Sequence, residues 1–100
     1  MSKENAIRKI NFVGEWLLDL LEQENISQRR LSALSGVGVA TINRSIKGVV
    51  VPNRCTVQSL LITLFGRDYE RIERELEIYD HLKKRQKNDN QHVRRNYNNH

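Results

Sequence analysis

The stretch Ile26-Ser27-Gln28-Arg29-Arg30-Leu31-Ser32-Ala33-Leu34-Ser35-Gly36-Val37-Gly38-Val39-Ala40-Thr41-Ile42-Asn43-Arg44-Ser45-Ile46-Lys47-Gly48 decides how this chain is read. Ser27 is a good N-cap, because its hydroxyl can accept from the free amides of the turn that follows. The helix it opens sends Leu31 and Leu34 inward and Arg29 and Arg30 outward, until Ser35-Gly36 breaks it. A second short helix is expected from Val39 to Lys47, with Ile42 and Ile46 on its buried side and Gly48 ending it. Two short helices joined by a tight glycine-containing turn are the outline of a helix-turn-helix.

Working outward, Ile7, Ile10, Gly14, Leu17 and Leu21 recur at steps of three and four, the spacing of an amphipathic helix. It ends near Asn25, a residue that tolerates left-handed backbone angles. It starts either near Asn5 or near Phe12. Gly14 weakens the longer version by about 1 kcal/mol relative to Ala. On the other side, Val49-Val50-Val51 reads as a short extended linker, since Pro52 biases the residue before it away from helix. Thr56 is expected to cap a helix over Val57 to Phe65, stopped by Gly66, and Asp68 to cap a last one from Tyr69 to Gln86. Asn88 to His100 is rich in Asn and poor in apolar residues, a composition that predicts disorder. The expectation is an all-α, compact five-helix fold. Residues 1–67 form the helix-turn-helix domain, 68–87 a C-terminal helix and 88–100 a basic tail.

The charge balance of +5 is by itself a weak pointer to nucleic acid. Its distribution is more telling. Glu15 to Glu24 holds four acids and no base, whereas Ser27 to Arg54 holds Arg29, Arg30, Arg44, Lys47 and Arg54 and no acid. Such sorting is expected where one segment faces phosphates and its neighbour faces away. With Arg29 and Arg30 near a helix N-terminus, it favours phosphate contact over a merely solvated surface.

In these residues the sequence resembles the phage-repressor and Cro type of helix-turn-helix domain, the lambda-repressor-like or xenobiotic-response-element-like family. The shared elements are Ser27-Gln28 opening the first helix, Leu31 and a small residue within it, and Gly36-Val37 at the turn. Thr41-Ile42 in the second helix and the closing Gly48 complete them. The resemblance covers Leu17 to Gly66. It implies that Gln28 braces the protein on a phosphate, and that Val39, Ala40, Thr41, Asn43 and Arg44 read bases or adjacent phosphates. It also implies that Lys47, Asn53 and Arg54 make a second backbone-contacting region. The side-chain chemistry agrees: Arg can pair with guanine, Asn with adenine, and a small apolar side chain can meet a thymine methyl. Many members carry an interior Arg and Glu pair at the positions of Leu21 and Ile46. Here both are apolar together, a replacement that leaves no charge stranded. Gly38 stands where many members have a Ser or Thr cap, at a cost of only a few tenths of a kcal/mol.

The resemblance implies a sequence-specific regulator of transcription, a repressor by preference, binding double-stranded DNA with no cofactor. Tyr69, Ile72, Leu76 and Tyr79 form a stripe on the last helix, decorated by pairs such as Asp80 with Lys84. The stripe fits either packing on its own domain or a homodimer interface, and the two-fold symmetry of such regulators favours the second. A contrasting reading is a protein-binding adaptor on the same fold, such as an antitoxin, anti-repressor or inhibitor, with a protein partner as its main target. An enzyme is not expected. Cys55 has no His or second Cys near it in sequence and reads as a partly buried residue beside a helix cap. His81, His92 and His100 lack metal-ligand spacing. No secretory leader or membrane span is expected, and the single Cys55 fits a cytoplasmic location.

Overall fold

Backbone hydrogen bonding in a computed structural model sorts the described residues into five helices, with no strand among them. The structure describes residues 10–98, with side chains for residues 10–90. The helices are α1 (Phe12–Gln23), α2 (Gln28–Ser35), α3 (Val39–Ile46), α4 (Arg54–Phe65) and α5 (Tyr69–Asn98).

Local chemistry sets most of the boundaries. Asn11 caps α1 by accepting from the Gly14 amide, which settles its start at Phe12; residues 1–9 lie outside the described residues. The chain leaves α1 through Asn25 at φ 53°, where the Asn side chain makes the left-handed turn tolerable. Ser27 caps α2 through the Arg30 amide, Gly36 ends it at φ 81°, and Asp68 accepts from the Arg71 amide at the start of α5. The cap of α4 is Asn53 rather than Thr56: its Oδ1 accepts from the Thr56 amide at 2.8 Å. Arg54 and Cys55 therefore stand in the first turn of that helix, and Cys55 is exposed instead of partly buried.

The core is built on α1 and α4. On one side Val13 and Leu20 of α1 and Val57 and Leu61 of α4 pack against Ile72, Leu76 and Tyr79 of α5. On the other, Leu17, Leu21 and Leu60 pack against Leu31 of α2 and Ile42 of α3. Trp16 and Leu64 touch both groups. The α2–turn–α3 pair thus lies on one side of a central α1–α4 layer and α5 on the other.

Three expectations are corrected here. Leu34 was expected inside but is 57% exposed; it falls in the last turn of an eight-residue helix, beside the exposed Gly36, and Leu31 alone reaches the core. The stripe on α5 is largely spent on its own domain: Ile72, Leu76 and Tyr79 are buried, and only Tyr69, 71% exposed, faces outward. Residues 68–87 accordingly contribute Ile72, Leu76 and Tyr79 to one core with α1 and α4.

The third correction concerns the tail. The segment expected to be disordered from Asn88 continues α5 to Asn98, while residues 99 and 100 lie outside the described residues. The buried Gln86 accepts from the Val13 amide at 2.9 Å, and Asn90 both accepts from the Ile10 amide and donates to its carbonyl. These bonds satisfy backbone groups at the start of α1 that have no intrahelical partner. They tie the far half of α5 to the front of the chain. No described helix is long and apolar enough to cross a membrane.

Candidate nucleic-acid interface

The surface of interest is the outer face of α3. Ile42 and Ser45 are buried beneath it, and Ser45 Oγ donates back to the Thr41 carbonyl at 2.8 Å. Val39, Ala40, Thr41 and Arg44 are exposed, and Asn43 is half-buried. Gly38 supplies no side-chain cap, so the amides of the first turn of α3 are open to an external acceptor.

α3 is fixed from three directions. First, the Asn43 amide nitrogen donates to Gln28 Oε1 at 3.2 Å, locking α3 to the first residue of α2. That bond leaves Asn43 one N–H and its oxygen, and leaves Gln28 both amide hydrogens, so each keeps groups for a ligand. Second, Ile46 packs against the buried cluster of Leu17, Leu21, Leu31, Ile42 and Leu60. Third, Asn11 donates to the Ile46 carbonyl at 2.8 Å while capping α1 with its oxygen. One side chain thereby serves both the start of α1 and the end of α3.

The glycines make that junction possible. A Cβ on Gly14 would collide with the Ile46 carbonyl and with the Asn11 side chain, so α1 and α3 approach too closely for any other residue. Gly48, at φ 80°, faces the same Asn11 side chain. Neither role of Asn11 was expected from the sequence. An Asn directly before an amphipathic run is a helix-start signal, but nothing local points to Ile46.

Beyond α3 the chain makes a short non-helical passage in which Val49, Val50 and Val51 are exposed and Pro52 is buried. The Tyr79 hydroxyl, buried with its ring, donates to the Pro52 carbonyl and anchors this passage to α5. The residues expected to contact phosphates are distributed unevenly. Arg29, Arg30 and Lys47 are exposed, and with Arg44 they form no salt bridge among the described residues. Arg54 is paired with Asp80 at 3.3 Å, both about half exposed, so it is partly engaged within the fold. Asp80 meets Arg54, not Lys84. Asn53 uses its side-chain oxygen as the α4 cap.

The electrostatic setting is wider than the two helices. No Asp or Glu occurs anywhere from Asn25 to Arg67, so α2, α3, the passage after α3 and α4 carry only positive charge. A buried carboxylate is used elsewhere: Glu75 accepts from Trp16 Nε1 and from Arg71, both at 2.9 Å, on the α1–α5 side of the core. Among the described residues, no group of three His, Cys, Asp or Glu side chains could hold a metal ion.

Comparison with family models, with curated proteins and with solved structures gives no match. The functional reading therefore rests on the residues and their geometry.

Proposed function

We propose that this chain is a sequence-specific, duplex-DNA-binding regulator of transcription. In this reading α2 and α3 act as a lambda-repressor-like helix-turn-helix, and α3 enters the major groove. The observation that carries it is the outer face of α3, whose exposed, uncapped first turns are braced from below in a stretch free of acids.

The roles follow from what each side chain has free. Arg44 presents an exposed guanidinium, in no salt bridge among the described residues, that matches the two acceptors of guanine. Asn43, held in place by Gln28, offers one donor and one acceptor, the pattern that adenine complements. Val39, Ala40 and Thr41 present small groups to thymine methyls. Gln28, bonded to Asn43, and the exposed Arg29, Arg30 and Lys47 supply phosphate contacts, which fix register without reading sequence. Control of transcription by repression follows if the bound site overlaps a promoter.

Selection of bound sites from a random duplex pool tests the proposal. The expected result is an enriched motif whose binding weakens steeply as salt rises. Absence of any enriched motif, with binding indifferent to salt, refutes it and favours the protein-binding adaptor.

A further inference from the structure

Helix α5 is divided by charge halfway along. From Tyr69 to Asp80 it carries five acids and two bases, whereas from His81 to Asn98 it carries six bases and a single acid, Asp89. The proposed recognition surface absorbs none of these later bases. We propose that Lys83, Lys84 and Lys87 form a second phosphate-binding strip, engaging the DNA backbone beside the segment read by α3. This inference rests on the DNA-binding reading above and extends its footprint.

Location is the first support. Tyr79, one turn before Lys83, donates to the Pro52 carbonyl, and Asp80 is paired with Arg54, so this part of α5 lies against the passage that leaves α3. Gln86 and Asn90, in the same stretch, hold the start of α1, where Asn11 in turn holds the Ile46 carbonyl at the end of α3. The strip therefore lies on the part of α5 that holds both the passage leaving α3 and the start of α1, with Arg54 beside it.

The second support is that the fold pairs none of these charges with an acid among the described residues. Lys83, Lys84 and Lys87 are exposed and make no salt bridge among the described residues. Lys83 and Lys87 are spaced i, i+4, an arrangement that repels and weakens a helix. The one acid suitably spaced for Lys84, Asp80, is taken by Arg54. Asp89 is paired with Arg85 instead. Lys83 does lie over the Tyr79 ring, 5.7 Å from its centroid, which leaves its charge open to solvent on the outer side. Nor does the helix dipole account for them. Its effect is confined to the last turn, and Lys87 precedes Asn98 by about three turns. A cluster of mutually repelling cations, on the part of α5 that holds the passage leaving α3, fits a polyanion that runs past both.

The test compares salt dependence on two random-sequence duplexes, one of about 12 and one of about 30 base pairs, the shorter covering little more than one helical turn. On the longer duplex, K83Q/K84Q/K87Q is expected to lower the slope of log affinity against log salt by about 1.8 to 2.7, for two to three phosphate contacts at roughly 0.9 each. Between ~50 and ~200 mM salt the wild type should then lose roughly ten- to forty-fold more affinity than the variant. On the shorter duplex the two should differ little, and the corresponding triple Lys→Arg variant should keep the wild-type slope. K84Q/K87Q leaves the Lys83–Tyr79 contact untouched, and should give the larger part of the effect with a melting midpoint no lower than the wild type's. An unchanged slope for the triple variant, while Lys47→Ala still weakens binding, overturns the strip and spares the recognition surface. A wild type that binds neither duplex overturns both.

Discussion

Gly14→Ala separates the structural account from helix propensity by the sign of its effect. In an isolated helix the substitution should stabilise, since Ala is favoured over Gly by about 1 kcal/mol. In this fold the new methyl meets the Ile46 carbonyl, which is backbone and cannot rotate away, and the Asn11 side chain, which is already used twice. Relief requires α1 and α3 to separate. Overpacking of this kind costs about 1–3 kcal/mol, and loss of the Asn11 cap adds about 1 kcal/mol. The losses exceed the gain, and a net destabilisation of about 2 kcal/mol is expected. For a domain of this size that lowers the thermal midpoint by roughly 10 °C. Circular dichroism melts of the wild type and G14A, with urea titrations for the free energy, measure it directly. A raised midpoint would show that α1 and α3 do not meet at Gly14, and the support for α3 would have to be redrawn.

Further outcomes follow from the same contacts. Gln86→Ala leaves the Val13 amide without its partner and should cost about 1–3 kcal/mol in urea denaturation; Gln86→Glu keeps an acceptor and should lose less. Leu21→Arg and Ile46→Glu should each destabilise by several kcal/mol by placing an unpaired charge in the core. Together they should recover a large part of that loss, and simple additivity would mean that the two positions do not face each other. Leu76→Ala should cost about 2–5 kcal/mol as a core truncation, whereas Tyr69→Ala should stay within about 0.5 kcal/mol. Light scattering of Tyr69→Ala should give the wild-type mass, since the rest of the α5 stripe is inside the fold.

The sequence made the helices visible where the signal is local. Ser27, Asp68, Asn25 and Gly36 mark ends through bonds or backbone angles within a few residues, and each does so in the structure. Between two competent caps, Asn53 and Thr56, residue type does not choose; Asn53 wins by starting α4 one turn earlier. The stripe on α5 announced a buried face but not what buries it, and α1 and α4 of the same chain do so. The helix beyond Asn88 was unreadable for a related reason. Its Asn-rich composition is locally unfavourable, and the bonds of Asn90 to Ile10 reach across 80 residues.

The same division holds at the candidate site. Residue types indicated what Arg44, Asn43 and Gln28 could touch. They did not indicate that Asn43 and Gln28 touch each other, that Arg54 is held by Asp80, or that Asn11 and Gly14 set the position of α3. These are facts of tertiary approach.

The central claim is that α3 reads bases, and the most direct measurement is the affinity of Arg44→Ala and Lys47→Ala for a selected site and for its scrambled counterpart at one salt concentration. Loss of a base contact should cost Arg44→Ala about 1–3 kcal/mol on the selected site and little on the scrambled one, reducing the preference. Lys47→Ala should weaken both about equally. If Arg44→Ala leaves affinity and preference unchanged, α3 does not read the DNA.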